Sequence, residues 1–375
     1  MALLEQKSIQ VSQTITIGIA KTLEEKREIY RLRYRIYANE VMYKLVTADH
    51  VNQLIYDELD RWGTIFYARV NGKLAGTIRV NVGEIKKFPA ELVETVLMNR
   101  FMKYYHNRNH HSFGLMTKLM LSSEFRGLHI TTYLMSKAFG IYCDNKVDFG
   151  FLNSNFCLVP LYEYYGHRRF GQNVTDIDFG FGTSFVIMPE DIEHLKNVQS
   201  PFYDIAIRKG KTQNNSVVEW YQAEFPEAAA ILNTQLATEE QFWRALQEVV
   251  QDSPLKVIPL LQGLTEKEAR IFVHACGIID RCHQGQWLTT PRDSCQELII
   301  LLAGKLSSGT PVGHSFGSNG LLIRTTHKIS IQALTDVTFL VLSHHSFQYF
   351  LQSFSSIAQK IFYNLLKTVM ALPPA

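Results

Sequence analysis

A small set of charged and aromatic side chains is spaced so that it could hold an amine and a carboxylate together. Arg33 and Tyr37 are four residues apart in a segment of helical periodicity, so both face one side of that helix. Asp57 and Asp60 follow as a D-x-x-D pair, and Arg79 lies on the strand that comes after them. An arginine can clamp a carboxylate with two parallel hydrogen bonds, and a carboxylate can take the proton that an attacking amine must lose. The same residues have a structural alternative, in which Arg33 and Asp57 or Asp60 form an ion pair tying helix to sheet. Residues 115–122 read as a buried strand, followed by a bend ending in Arg126-Gly127 and then a helix. A strand that splays from its neighbour leaves N–H and C=O groups unpaired, and the amides of a pantetheine arm can pair with them. The free N–H groups at the start of the next helix suit a phosphate. Such an arrangement is suited to an acyl thioester.

The elements that must position these residues are legible as an alternation. Residues 22–39 start with a Thr-x-x-Glu capping signal and continue with helical spacing. Residues 64–71 and 74–82 are strands joined by Asn71-Gly72, a type I′ hairpin turn. A basic, helical stretch (88–109), a strand (115–122), a helix (127–143), a strand (148–152), a helix (158–165) and a last strand (181–188) complete an α/β (α+β) domain with a central mixed sheet. Residues 209–220 read as a polar loop and 239–252 as a connecting amphipathic helix. From Pro254 a helix (266–276) leads into closely spaced short strands, and an amphipathic helix closes the chain over 346–372. The expected division is 1–205, a linker with connecting helix over 206–253, and a β-barrel, jelly-roll-like domain with flanking helices over 254–375.

Composition bounds the class. The 375 residues are 46% hydrophobic and 19% charged, which supplies a core and excludes a disordered chain. Lys and Arg number 38 against 35 Asp and Glu, a balance that does not call for nucleic acid. No apolar run is long enough to span a bilayer, and the first residues lack the pattern of a secretory signal. Five cysteines without a C-x-x-C pair read as reduced thiols, so a cytoplasmic protein is expected. His106, His110 and His111 lack carboxylate or cysteine support and read as a solvated loop; no metal is assigned.

The bend and the segment after it resemble the Gcn5-related N-acyltransferase (GNAT) superfamily. Its phosphate loop, usually Arg-Gly-x-Gly-x-Gly, corresponds to Arg126-Gly127-Leu128-His129-Ile130-Thr131, with both later glycines replaced. His129 and Thr131 would crowd a diphosphate, which favours the phosphopantetheine of an acyl carrier protein over coenzyme A. Downstream, Asn155, Tyr162, Gly166 and an apolar strand keep the family order, and the resemblance implies that Tyr162 protonates the leaving thiolate. Packing in the core is the alternative role for Tyr162. A second resemblance, over about residues 25–190, is to the acyl-homoserine-lactone synthases and the related N-acyl amino acid synthases. It rests on Arg33, Tyr37, Tyr43, Asp57, Asp60 and Arg79 in that order, with Lys118 where the group commonly has Arg. It implies that Arg33, Tyr37, Asp60, Arg79 and Lys118 bind the acceptor, with Arg33 or Arg79 clamping its carboxylate. Leu119, Leu121, Arg126, Gly127, His129 and Thr131 would bind the acyl-pantetheine, with backbone N–H groups of residues 118–121 on the thioester oxygen. Glu124, at the end of the strand, is the first candidate base and Asp57 the second; a solvated loop carboxylate is the other reading of Glu124.

Residues 257–345 resemble a cyclic-nucleotide-binding domain, from the opening helix through Gly285 and Gly304 to a cassette at Phe316-Gly317-Ser318-Asn319-Gly320. The cassette's ribose-binding Glu falls on Ser318 and its phosphate-binding Arg on His327, with Arg324 out of register. A buried cyclic phosphate needs a fixed cationic fork, so no cyclic nucleotide is expected; a dimerising or lid role is. No helix-turn-helix comes after it, which argues against a transcription factor. The expected function is transfer of a long acyl group from acyl carrier protein, or from coenzyme A, to the amine of a small acceptor, an amino acid first. An acyl-homoserine-lactone synthase using S-adenosylmethionine and a non-catalytic ligand sensor are the alternatives. Lys86, Lys87, Arg100, Lys103, Lys137, Arg168 and Arg169 are candidates to dock an acidic carrier protein, with scattered solvated charge as the alternative, and a homodimer through the second domain is a further possibility.

Overall fold

The computed structural model describes residues 14–106 and 111–370, side chains of 368–370 excepted. Its first part is one seven-stranded mixed sheet. The strands are β1 (Ile15–Ile19), β2 (Thr64–Val70), β3 (Lys73–Gly83), β4 (Phe113–Leu121), β5 (Phe149–Ser154), β6 (Arg168–Asp176) and β7 (Gly180–Ile187). Their order is β1-β2-β3-β4-β5-β7-β6, and β4 with β5 is the parallel pair. At the β2–β3 turn Asn71 and Gly72 both take positive φ (49° and 81°), as a type I′ turn requires. Sequence reading missed β1, which is short, and β6. The run RRFGQNVTD hides its alternation because Arg169 and Asn173, polar by type, are buried.

Helix α1 (Leu23–Arg35) starts at the expected capping box: the Thr22 side chain accepts from Glu25 N, and Glu25 Oε2 from Thr22 N. It widens into a π-helical turn over Ile36–Val41 and stops at Met42 in the left-handed region. Helix α2 (Ile130–Asp144) buries Ile130, Leu134, Met135, Ala138 and Phe139 on the sheet. Its Tyr142 ring lies over Gly114 and Gly150, opposed residues of β4 and β5. A Cβ at either would come within 2.3 and 2.2 Å of that ring, so glycine is required for the helix to approach.

Short helices come next. They are α3 (Val159–Tyr164), α4 (Phe202–Arg208), α5 (Asn215–Glu224) and α6 (Glu239–Val250). The polar loop expected over 209–220 is in part helix α5. Val217 and Tyr221, four apart, are buried, and Trp220 packs at 5.3 Å from Tyr104 and 5.4 Å from Phe149. Burial of that face outweighs the poor helix preference of the Asn-Asn-Ser start.

After α7 (Glu266–Cys276), eight short strands make three antiparallel sheets. They are β8 (Gly277–Cys282), β9 (Trp287–Thr289), β10 (Ser294–Cys295), β11 (Glu297–Ala303), β12 (Ser315–Phe316), β13 (Thr325–Thr326), β14 (Ile331–Gln332) and β15 (Val337–Ser343). The sheets are β12-β11-β15-β8, β10-β13 and β14-β9. The single closing helix read from the sequence is two, α8 (His344–Ser353) and α9 (Ser355–Met370), because Phe354 leaves the helical region at φ −133°.

The two parts share one apolar core. Phe156 and Phe181 of the first meet Phe339 of β15 at ring distances of 5.4 and 6.0 Å. Arg169 is the polar counterpart. It is fully buried, bonds Glu163 at 2.9 Å and Asp280 at 2.8 Å, and donates to the carbonyls of Ile279 and Leu232. Its expected place on a docking surface is therefore corrected: it joins β6 to β8. Removing one partner of such a buried network leaves the others uncompensated. Arg169→Ala should lower unfolding free energy by about 3–5 kcal/mol in denaturant titration. A loss below about 1 kcal/mol, the range of exposed pairs, would contradict this assignment.

Candidate active site

The sheet opens in its middle. Pairing between β4 and β5 covers Phe113↔Phe149, Gly114↔Gly150 and Leu115↔Phe151, and then stops. Beyond it β4 continues to Leu121 on β3, and β5 to Ser154 on β7. The facing edges of residues 116–121 and 152–154 thus carry backbone groups with no ladder between them. In the same stretch β4 bulges: Thr77 pairs with Met120 but Arg79 with Thr117, so Lys118 and Leu119 stand opposite Ile78. Lys118 has φ +55°, an uncommon value for a residue with a side chain. The bulge falls within residues 118–121, whose N–H groups the sequence reading assigned to the thioester oxygen. Leu119 and Leu121 are half-buried on this strand.

Beside the opening, four of the expected acceptor residues and Asp57 form one network. Asp57 and Asp60 are brought round by a 3₁₀ turn (Glu58–Arg61) that they cap reciprocally. Arg33 Nη1 donates to both Asp60 oxygens at 2.9 Å. Arg79 Nη1 bonds Asp57 and, at 2.9 Å, Asp60, while its Nε donates to Thr117 Oγ1 at 3.0 Å. Lys118 Nζ lies 3.9 Å from Asp57 and 5.9 Å from the Tyr37 ring centre. Three cations therefore face two carboxylates. Arg33 is fully buried, yet its Nε and Nη2 have no hydrogen-bond partner. Unpaired buried donors are costly, and a ligand carboxylate is the kind of group that satisfies them. Burial pulls Lys118 below the ordinary lysine range, against the pull of Asp57. Burial raises Asp57, but Arg79, Lys118 and Arg33 outweigh it, so its carboxyl is held below the usual range.

Tyrosines form the wall. Tyr37 and Tyr43 rings are 4.7 Å apart, and the Tyr43 hydroxyl donates to Asn155 Oδ1 at 2.6 Å. Tyr162, on α3, is buried with its ring 5.5 Å from Phe185, and burial raises its hydroxyl so that it stays protonated. Sequence reasoning missed Asp176, the last residue of β6. One of its oxygens accepts from the N–H groups of Asp178 and Phe179 at 2.8 and 3.1 Å. Burial raises its pKa, and its charge is felt at Lys118, Tyr37 and Tyr43. It escaped notice because β6 itself did.

The donor loop lies between β4 and α2. Gly127 has φ +88° with open space around it, and His129 takes φ +56° just before Ile130 begins the helix. Thr131 is half-buried in the first turn. Arg126 is half-exposed and bonds Glu40 Oε2 at 3.1 Å; Ser123 N donates to the same oxygen at 2.9 Å. Glu124 is not brought to the network. It is more than half exposed and pairs with Lys73 at 2.5 Å. Of the basic candidates, Arg100 and Lys103 pair with Glu224, Arg168 with Asp191 and Lys86 with Glu84, whereas Lys87 and Lys137 are exposed. His106 is exposed, His111 lies 6.0 Å from the Tyr105 ring, and His110 is outside the described residues. A surface recess of ≈ 510 Å³ beside α1 and Lys73 is lined by none of the network residues.

In the second part, the two replaced cassette positions meet each other: Ser318 N donates to His327 Nδ1 at 3.1 Å. Arg324 turns away to the carbonyl of Glu40 at 3.0 Å.

No protein-family model and no curated protein matches this sequence. Solved structures resemble it at low TM-score. FeeM, an N-acyl amino acid synthase from uncultured soil microbes, is 12% identical, with 52% of this chain and 99% of that one covered and a TM-score of 0.38. The AHL synthase LasI is 15% identical over 47% and 89%, with a TM-score of 0.33. A cyclic nucleotide-binding domain from Methylobacillus flagellatus is 18% identical over 36% and 80%, with a TM-score of 0.30. Among the described residues no helix is long and apolar enough to cross a membrane.

Two buried histidines, His167 and His194, should make stability pH-dependent. Burial holds His167, whose ring lies 5.9 Å from Tyr162, and His194 each down to about 3. An unfolded histidine titrates near ~6.5. Their contribution is therefore complete above that pH and is lost as pH falls from there toward the folded values. The slope should reach about 1.4 kcal/mol per pH unit for each histidine. Denaturant titrations at successive pH values check this, and His167→Phe should flatten the slope; an unchanged slope would contradict it.

Proposed function

We propose that this protein is an N-acyltransferase that moves an acyl group from a pantetheine thioester to the amine of a small acceptor bearing a carboxylate, an amino acid being the acceptor of that chemistry. The observation that carries the reading is the opening between β4 and β5, with the Lys118 bulge set beside a buried network that holds unpaired guanidinium donors. An arm of amides fits an edge of free amides. An acceptor carboxylate fits Arg33, with Arg79 and Lys118 adding positive charge.

In this reading the amine attacks the thioester carbonyl, whose oxygen is held by main-chain N–H groups at the bulge. The C–N bond forms, the C–S bond breaks, and the amine proton passes to a carboxylate directly or through a water. Asp176 suits that role better than Asp57, because burial raises its proton affinity whereas three cations lower that of Asp57. The leaving thiolate takes a proton from Tyr162. The donor proposed is an acyl carrier protein, since His129 and Thr131 stand where a diphosphate would need glycine. Cyclic nucleotide is proposed to have no place in the second domain, because Ser318 and His327 bond each other there.

Incubating the protein with acyl carrier proteins, acyl-coenzyme A, pooled amino acids and S-adenosylmethionine, followed by lipid mass spectrometry, tests this directly. An acyl-amino-acid mass is expected, and no product from a folded protein with any donor would overturn the reading. With that product in hand, Asp176→Asn should lower kcat by roughly 10²–10⁴-fold. Arg33→Lys, which keeps a cation but loses the planar fork, should raise the acceptor KM by about tenfold or more with the donor KM unchanged. Cyclic AMP or cyclic GMP should leave the melting temperature unmoved; a rise on addition would reject the reading of the second domain.

A further inference from the structure

Away from the acyltransferase site, three buried side chains of different chemistry converge in the second domain. Cys295 lies on β10, Glu297 begins β11, and His327 comes just after β13. Their ligand-capable atoms all lie within 4.8 Å of one another, and all three residues are buried. We propose that Cys295, Glu297 and His327 bind one divalent transition-metal ion of the zinc class.

Charge is the first argument. Glu297 is 8% exposed, and among the described residues it takes part in no salt bridge; its carboxylate accepts the N–H of Gln296 at 3.2 Å. A buried carboxylate without a cation is costly. A thiolate, a carboxylate and a neutral imidazole around M²⁺ sum to zero, which removes that cost. Sulfur, nitrogen and oxygen donors are also the set that zinc accepts, with a fourth position left for water.

The backbone around the cluster is the second argument. A Cβ on Gly317 would come within 2.8 Å of His327 Nδ1, and one on Gly320 within 2.9 Å of Cys295 Sγ. The cassette segment therefore wraps the cluster so closely that only glycine fits on the two sides. Without metal, the Cys295 thiol donates to the carbonyls of Glu297 and Ser318 at 3.3 and 3.2 Å, and Ser318 N donates to His327 Nδ1. Ligation through Nδ1 displaces the Ser318 N–H from that nitrogen. The thiol proton leaves to solvent, as does the Glu297 proton where that group holds one.

The site also has a definite position. Strands β10 and β13 pair Ser294 with Thr326 and Cys295 with Thr325. Ser294 Oγ donates to the carbonyl of Val41 at 2.8 Å, and Arg324, just before β13, to that of Glu40. A metal bridging these strands would brace the hold on the π-helical turn that carries Tyr37.

The test uses the full-length protein, stripped with chelator and dialysed against zinc or cobalt. One equivalent of zinc by elemental analysis is expected, with a thiolate-to-cobalt charge-transfer band in the near ultraviolet and proton release that is measurable in weak buffer. Cys295→Ser should abolish the band, and His327→Gln should weaken zinc binding by roughly 10–100-fold or more, at least what losing an outer-shell partner costs. Absence of stoichiometric zinc and of the band, or a band of equal strength in Cys295→Ser, would overturn the proposal. If either variant fails to fold, the zinc stoichiometry and cobalt spectrum of the unaltered protein decide the matter alone.

Discussion

Between β4 and β5 the hydrogen-bond ladder ends after Leu115 and Phe151, and the rest of the candidate site depends on that interruption. Below it the strands are held by the ladder and by packing: Tyr142 of α2 presses on the Gly114–Gly150 pair, where no other residue type leaves room. Above it no ladder pairs residues 116–121 with 152–154, so peptide groups on both strands are left without ladder partners. The bulge at Lys118 acts at the same level, because the extra residue swings the β4 main chain and places the lysine beside Asp57. A sheet closed along its full length would leave neither donors nor room.

The charge network answers a different constraint. Burying Arg33 and Arg79 requires carboxylates, and the chain supplies Asp57 and Asp60 from a short turn that caps itself. That compensation is incomplete, since Arg33 retains two unpaired buried donors. Buried polar groups in native folds are completed by protein, ordered water or a bound group. The second domain contributes from outside: Ser294, Arg324 and Lys44 with Asp293 all fasten the segment around Glu40 to Lys44, next to Tyr37 and Tyr43. Fusion of the two parts therefore has a structural consequence for the site, through the apolar contacts of Phe339 and the buried Arg169 network.

Much of this is legible in the amino-acid order, for physical reasons. Arg33 and Tyr37 stand four apart on a helix with an unmistakable cap, Asn71-Gly72 allows one kind of turn, and the apolar runs of β4 and β7 admit little but buried strands. The misses have causes of the same kind. Strand β6 hides because its buried residues include Arg169 and Asn173, and Asp176 is lost with it. Helix α5 begins with residues that read as loop until the aromatic surface formed by Tyr104 and Phe149 is in view. Glu124 is a candidate by its position at a strand end, which says nothing about the exposed Lys73 side chain that it pairs with. The Cys295, Glu297 and His327 cluster spans a stretch of chain that no spacing rule covers.

On the proposed function, a pantetheine arm lies along the unpaired edges of β4 and β5. Amide hydrogen exchange on the full protein, with and without a non-hydrolysable acyl-pantetheine thioester analogue, addresses it most directly. Slowed exchange is expected in residues 116–121 and 152–154 and in the first turn of α2, with the paired residues 113–115 unchanged. Binding of the analogue without protection of those edges, or protection elsewhere alone, would contradict it.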